Sequence, residues 1–423
     1  MAKKLEGALA ALKAGGVVIV ADADDREGEG DLVMSARAVT PNDMAFLVRH
    51  GSGIVCVPMT AERADQLRLA PMVSDNTDPH RTAFTVSVDH VATGTGISAA
   101  DRAQTIRALA DPRTTPEDLR RPGHVFPLVA RAGGVARRPG HTEAALDLLA
   151  MAEVGDVAVI TELVSPDGVP MHGAVLTNFA RGHGIPFITI DDILGSPAFA
   201  RRLVTRTGRA EMPLDLARFD VTSYASYDGL DHLALTLGDV RCDDPADDGV
   251  LVRVHSECLT GDVFGSQRCD CGSQLRRALE HIVEEGRGAV VYVRGHEGRG
   301  IGLTQKIRAY ALQEDGLDTV AANLRLGEPV DGREYRVAAG ILADLGALRV
   351  RLMTNSPHKR SELATCGIDI AGLLPMPTFV TPDNARYLRA KRDLLDHDLA
   401  VPPVWHTETY VPVHEHSSAA VAT

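Results

Sequence analysis

Lysine is nearly missing from the body of this chain. Only six of its 423 residues are lysine, against 38 arginines, and between Ala14 and Ala390 just Lys306 and Lys359 occur. An anion site in that span must lean on arginine, backbone N–H groups or bound metal. No basic run exists and the formal charge is −13, which argues against a nucleic acid or an anionic membrane as partner. No apolar stretch approaches the ~18–20 residues of a membrane span. Aromatics are scarce at 4%, with a single tryptophan, while the 44% hydrophobic and 24% charged fractions are ordinary for a globular protein. Six cysteines are too few for a disulfide scaffold of this size, and three of them fall within residues 258–271, a crowding that suggests metal rather than oxidation. The start, Met1-Ala2-Lys3-Lys4-Leu5-Glu6, reads as an amphipathic helix closed by Gly15-Gly16 and not as a signal peptide. The expectation is a cytoplasmic, enzyme-like protein with reduced thiols.

Two alternations of strand and helix patterns follow one another. In the first, residues 16–20 and 157–160 read as buried strands, 142–151 as a helix, and 187–194 as a closing strand and short helix. The stretch 196–213 is arginine-rich and shows no clear strand pattern. In the second, 250–254, 289–293 and 350–353 read as strands, and 273–285 and 303–312 as helices. This predicts two α/β domains, 1–204 and 205–423, each a mixed β-sheet covered by helices. The tail 416–423, rich in Ser and Ala, reads as disordered.

Directly after the first strand come Asp22, Asp24, Asp25, Glu27, Glu29 and Asp31, six carboxylates in ten residues. Such a loop is either a solvated acidic turn or the seat of a hard divalent cation, and its place at a strand end favours function. The tetrapeptide Arg-Pro-Gly-His occurs twice, at 121–124 and 138–141. Pro-Gly predicts a sharp turn with the histidine at its tip. The second copy runs into a helix N-terminus, where free N–H groups favour phosphate and Arg138 can add a bidentate pair.

The segments Asp25-Arg26-Glu27-Gly28-Glu29-Gly30-Asp31, His50-Gly51-Ser52-Gly53-Ile54-Val55-Cys56, Phe84-Thr85-Val86-Ser87-Val88-Asp89, Gly96-Ile97-Ser98-Ala99-Ala100-Asp101-Arg102, Arg121-Pro122-Gly123-His124-Val125-Phe126-Pro127 and Gly140-His141-Thr142-Glu143 resemble 3,4-dihydroxy-2-butanone-4-phosphate synthase. The resemblance covers roughly residues 5–200. It implies conversion of D-ribulose 5-phosphate to 3,4-dihydroxy-2-butanone 4-phosphate plus formate, with Mg²⁺ or Mn²⁺ as cofactor. It also implies Glu27 and His141 as metal ligands, and His124 and Glu162 as acid/base residues. Arg26, Glu27, Asp31, Arg138, Pro139, Gly140, His141, Thr142 and Glu162 are implied substrate contacts. Gly28, Thr161 and His172 depart from the family pattern without removing a group that has a chemical role.

The second half carries Cys258, Cys269 and Cys271, a C-x10-C-x-C pattern with no further Cys or His closely downstream. Three thiolates with an open fourth position describe a catalytic zinc, and a fourth ligand from Cys242 would instead make a closed structural site. Arg294-Gly295-His296-Glu297-Gly298-Arg299-Gly300 is a glycine-rich turn between strand and helix, suited to phosphate oxygens but lacking the Walker ending. Lys359 stands where an anion would be held.

These segments, with Arg268-Cys269-Asp270-Cys271-Gly272 and Lys306-Ile307-Arg308-Ala309-Tyr310-Ala311-Leu312-Gln313, resemble GTP cyclohydrolase II from about residue 210 to 400. The resemblance implies hydrolysis of GTP to 2,5-diamino-6-(5-phosphoribosylamino)pyrimidin-4-one, formate and pyrophosphate. It implies Zn²⁺ on Cys258, Cys269 and Cys271. Implied GTP contacts are Arg253, Val254, His255, Ser256, Glu257, Gln274, Glu297, Gly298, Arg299, Thr319, Thr354 and Lys359. Asp331 takes the proton-acceptor place and Arg333 the nucleophile's place, although a guanidinium suits clamping pyrophosphate at least as well. Both families supply riboflavin precursors and both imply a homodimer. Two alternatives stand beside the bifunctional reading: one half catalytically decayed, or a regulatory guanine-nucleotide binder with structural zinc.

Overall fold

The computed structural model describes residues 2–23, 26–244, 246–399 and 401. Asp24 and Asp25 of the acidic loop and the tail 416–423 lie outside the described residues. Two mixed seven-stranded sheets follow each other along the chain.

The first contains β1 (Val18–Ala21), β2 (Gly30–Ser35), β3 (Cys56–Met59), β4 (Val88–His90), β5 (Leu119–Val129), β6 (Ala158–Glu162) and β7 (Phe187–Thr189). Their spatial order is β4-β5-β3-β6-β2-β1-β7. The β1–β7 and β3–β5 pairs are parallel and the others antiparallel. Alternate side chains enter different cores: Ile19, Leu32, Met34, Val57 and Val159 one, Val18, Val20, Val33, Ala158 and Ile160 the other. Both faces are therefore covered, which is why these strands read as continuous apolar runs. The helix Ala2–Lys13 contributes Leu5, Ala8 and Leu12 to the second core, and His141–Ala152 contributes Ala144, Ala145, Leu148 and Leu149. Helix starts on the opposite face are set by side-chain caps: Thr40 with Asp43 makes a capping box before Pro41–His50, and Ser98 caps Ala99–Ala110.

The second sheet contains β8 (Val204–Pro213), β9 (Arg218–Ser226), β10 (Asp231–Leu237), β11 (Val250–Ser256), β12 (Gly288–Val293), β13 (Arg349–Met353) and β14 (Asp369–Leu374), in the order β14-β13-β11-β12-β10-β9-β8. β12, β11, β13 and β14 run parallel, each to its neighbour. One core packs Val250, Val252, Val291 and Leu352 against the helix Arg336–Leu345, and another packs Leu251 and Val290 against Cys271–Glu285. The two-domain α/β class expected from the sequence is thus present.

Two local expectations fail. Residues 204–213 do form a strand, β8, paired along its length with β9. It is an exposed sheet edge with only Val204 buried, so its polar composition carries no hydrophobic alternation; charged residues at such an edge discourage pairing with other chains. The first Arg-Pro-Gly-His falls inside β5, where it forms a bulge: Arg120 pairs with Asp89 and Val125 with Val88, so 121–124 have no partner in the ladder.

Candidate active sites

In the first sheet, β1 ends at Ala21 opposite Gly30 of β2, so Asp22 and Asp31 flank one end of the hairpin. Asp22 anchors the acidic loop by accepting from Glu29 N at 3.0 Å and from Arg26 Nη1 at 2.6 Å. Glu27 lies 3.8 Å from His141 Nδ1, which is also 3.8 Å from Asp31 Oδ1. Asp22, Glu27 and His141 offer donor atoms all within 4.8 Å of one another. His141 begins its helix after Gly140, which supplies no side-chain cap, leaving the first N–H groups open to an anion. The second Arg-Pro-Gly-His is therefore the turn its sequence predicts.

The donor set fits a hard divalent cation. His141 Nε2 and Asp31 Oδ1 are buried and unpartnered among the described residues. Burial, then the charges of Glu162 and Glu27, hold the Asp31 carboxyl well above its usual range. Burial likewise lowers His141. Several acidic groups packed this closely ionise together only beside positive charge.

Arg138 departs from expectation. Its guanidinium donates to Glu143 Oε2 at 2.7 Å, to the His80 carbonyl and to Thr82 Oγ1. Those donors are occupied in fastening the loop around His80 to the helix start, where His80 comes within 3.5 Å of Glu27.

His124 and Glu162 are not brought into contact. Cys56 of β3 pairs with Phe126 on one side and Ile160 on the other. His124 and Glu162, each two residues further, therefore share one end of the sheet across the width of β3, about 10 Å from two strand spacings. Glu162 accepts from Ser52 Oγ at 2.7 Å. His124 Nδ1 lies 2.8 Å from Asp89 Oδ2, and the His124 backbone N–H donates to Asp89 Oδ1 at 2.9 Å. The strand approach that allows this depends on Gly123, where a Cβ would sit 2.0 Å from the Val88 carbonyl carbon.

The second site lies at the carboxyl ends of β11, β12 and β13, where ligands of parallel sheets collect. Cys258 Sγ is 3.7 Å from Cys269 Sγ, and both lie within 4.8 Å of Cys271 Sγ. Gly261 makes room for them: a Cβ there would stand 2.8 Å from Cys269 Sγ and 3.1 Å from Cys258 Sγ. Hydrogen bonds from Cys269 and Cys271 draw the Cys258 thiol far down, while the contact with Cys258 pushes Cys269 up to about 11 and Cys271 well above its usual value. Three thiols this close ionise together only around a cation, so the cluster is a candidate metal site. Among the described residues no fourth donor joins it. Cys242 is instead buried in the apolar core, its N–H on Gly346 O, which removes it as a fourth ligand.

Around the thiols, Glu297 accepts from Leu259 N at 2.6 Å and from Lys306 Nζ at 2.5 Å. Lys306 also donates to Cys258 Sγ at 3.1 Å. Glu257 accepts from Gly295 N, and Ser256 Oγ meets His296 Nδ1 at 3.1 Å. Arg299 is buried with both terminal nitrogens unpartnered among the described residues. It shares a cavity with the three thiols, Gly298, Thr319 and Arg333.

An adjoining cavity is bounded by Arg253, His255, Gln274, Thr354 and Lys359. Arg253 donates to Met353 O and Gln274 Oε1, and Lys359 Nζ donates to the Val254 carbonyl at 2.6 Å. Burial and the cations Arg253, Arg333 and Lys391 hold Lys359 well below its usual value. His255 is tied inward to Asp262 at 3.1 Å and stacked on Tyr292. Arg333 forms a two-pronged pair with Asp331, Nε at 2.8 Å and Nη2 at 2.5 Å. Burial works against that charge, yet Tyr335 and Asp331 hold the guanidinium above its ordinary value.

Sequence reasoning quoted Asp22 and Lys306 within motifs without giving either a place in a site. It omitted Tyr387 and gave Lys391 no place. The available signal was rarity: all three lysines beyond the N-terminal helix line this second site.

A family model for 3,4-dihydroxy-2-butanone 4-phosphate synthase matches residues 6–195, and one for GTP cyclohydrolase II matches residues 205–375. The riboflavin biosynthesis protein RibBA of Salinispora arenicola is 51% identical over 395 residues, 93% of this chain and 93% of the relative. That of Mycobacterium tuberculosis is 49% identical over 412 residues, 96% and 97% of the two chains. The crystal structure of RibBX, a two-domain 3,4-dihydroxy-2-butanone 4-phosphate synthase from A. baumannii, is 29% identical, covers 89% of this chain and 99% of its own, and superposes with a TM-score of 0.57. Fold, sites and likenesses define a bifunctional enzyme of riboflavin biosynthesis, a 3,4-dihydroxy-2-butanone 4-phosphate synthase joined to a GTP cyclohydrolase II. The chain belongs to the RibBA family of riboflavin biosynthesis proteins.

Proposed function

We propose that the acidic cluster acts on D-ribulose 5-phosphate and the thiol-lined cavity on GTP, the halves dividing at residues 204 and 205. Asp22, Glu27 and His141 hold Mg²⁺ or Mn²⁺, and Cys258, Cys269 and Cys271 hold Zn²⁺. The observation that carries this is one metal-competent cluster at strand ends in each of the two sheets.

In the first half, the bound cation supplies stabilisation of negative charge developing on substrate oxygens. The open N–H groups of His141 and Thr142 receive the phosphate, with Arg26 adding charge. Glu162, oriented by Ser52, exchanges protons with the substrate carbons, and Asp31 contacts the substrate beside it. His124 serves as the other acid/base, turned by Asp89.

In the second half, the cation supplies Lewis-acid polarisation for hydrolysis. Arg253, Arg299 and Lys359 bind phosphate oxygens, aided by Thr354, while Ser256, Glu257, Gln274, Glu297 and Thr319 frame the rest of the nucleotide. Arg333, kept protonated beside Asp331, clamps the departing pyrophosphate; a deprotonated guanidine nucleophile is disfavoured there.

A homodimer accords with the separation of His124 from the acidic cluster, since a second copy across that face would complete the site; light scattering of the purified chain tests it. Six free cysteines suit a reducing cytoplasm. Among the described residues no helix is long and apolar enough to cross a membrane.

The test is to incubate the purified protein with each substrate separately and follow formate. Both should release it, D-ribulose 5-phosphate only with divalent cation present. Silence with either substrate would mean that half is decayed.

A further inference from the structure

The match to GTP cyclohydrolase II ends at residue 375, yet the nucleotide cavity does not. One wall is built by the chain beyond that point, from Tyr387, Lys391, His397 and Leu399. The helix Ala385–Leu394 is seated firmly. Leu388 is fully buried in a small cluster with Leu399 and Val401. Asp398 N donates to Asn355 O beside β13, and Thr381 Oγ1 donates to Gln267 O in the thiol-bearing loop.

Lys391 leaves this helix toward the cavity. Its Nζ lies 3.4 Å from Asp270 Oδ1 and 4.6 Å from the centre of the Tyr387 ring. Asp270 Oδ2 accepts from Gln274 Nε2, whose Oε1 accepts from Arg253. Lys391 is therefore joined through two polar side chains to a cation on the opposite wall.

Charge accounting shows what the cavity lacks. Arg253, Arg333, Lys359 and Lys391 line it, while the carboxylates beside them are Asp331, paired with Arg333, and Asp270, paired with Lys391. Among the described residues neither Arg253 nor Lys359 has a carboxylate within salt-bridge distance, although both are buried. An excess of buried positive charge calls for a multiply charged anion.

We propose that Lys391 is a binding residue for the polyphosphate chain of the nucleotide, contributed by the segment beyond residue 375. This rests on the assignment of GTP to this cavity. The experiment uses the full-length, metal-loaded protein with Lys391→Gln and Lys391→Arg. Lys391→Gln should raise KM for GTP about tenfold or more, the loss of one charge-assisted contact, and change kcat far less. Inhibition by guanosine, which has no phosphate, should be unaltered, and Lys391→Arg should recover most of the affinity. Formate from D-ribulose 5-phosphate reports that the chain is folded.

An unchanged KM, or equal weakening of GTP and guanosine, would overturn the proposal. So would loss of the thiolate-held metal, because Lys391 would then act by holding Asp270. Failure of the underlying assignment looks different: the native protein would release no formate from GTP.

Discussion

At the residue scale, few side chains decide the chemistry, and the scarce ones are concentrated. Lys306 lines the cavity that holds the three clustered thiols, and Lys359 and Lys391 line the one adjoining it. Cys269→Ser removes one of only three thiolate donors, so formate release from GTP should be abolished while release from D-ribulose 5-phosphate stays at the native rate; loss of both would mean the halves depend on each other. Asp22 both shapes the acidic loop and belongs to the candidate metal cluster. Asp22→Asn keeps its size but removes a charge, so the Mg²⁺ concentration giving half-maximal synthase activity should rise about tenfold or more, read from a metal titration. Glu27 and His141 were legible because their motifs are local in sequence. The fastening of Arg138 to Glu143 and His80 was not, since His80 lies 58 residues away along the chain.

At the element scale, one tetrapeptide takes two shapes. Arg-Pro-Gly-His at 138–141 opens a helix, whereas at 121–124 it bulges out of β5 between Arg120, paired with Asp89, and Val125, paired with Val88. Local turn propensity is the same in both; the neighbouring strand makes the difference. Asp147 shows a related effect on the helix His141–Ala152. It accepts from Val135 N at 2.8 Å, and burial pushes its carboxyl from 3.8 up to about 6. Below pH 4 the folded and unfolded chains both hold this proton. Between pH 4 and 6 only the folded chain does, so stability falls as pH rises through that window, by up to about 3 kcal/mol. Asp147→Asn escapes this penalty, and its Tm should exceed the native value above pH 6 and converge with it near pH 4. A gap independent of pH would show that the carboxyl is not the cause.

At the scale of the whole molecule, the sheets meet through the helix Pro197–Arg202, which packs on Arg336–Leu345. Asp344 is the polar centre of this junction. It pairs with Arg201 and Arg206 and accepts from the buried Tyr224 hydroxyl at 2.9 Å. Asp344→Ala strands that hydroxyl and should cost about 1–3 kcal/mol, seen as a lower Tm, with both kcat values retained. A loss of either activity at unchanged Tm would instead tie the junction to catalysis. The net charge of −13 coexists with a cation-rich cavity, because buried cations act on a ligand at contact distance while the remaining charge is spread over solvent-screened surface.

What the sequence by itself determined is the two-domain α/β order, the apolar central strands and the residue types of both sites. Periodicity and motif spacing are properties of the local chain, and burial on both sheet faces writes them strongly. Only the tertiary structure decided that Cys242 stays in the core, that 204–213 is an edge strand, and that His124 answers to Asp89. It also decided that residues beyond 375 wall the cavity lined by Arg253 and Lys359. Each of these depends on which distant segment lies alongside, and contacts between segments far apart in the chain leave no periodic trace in either one.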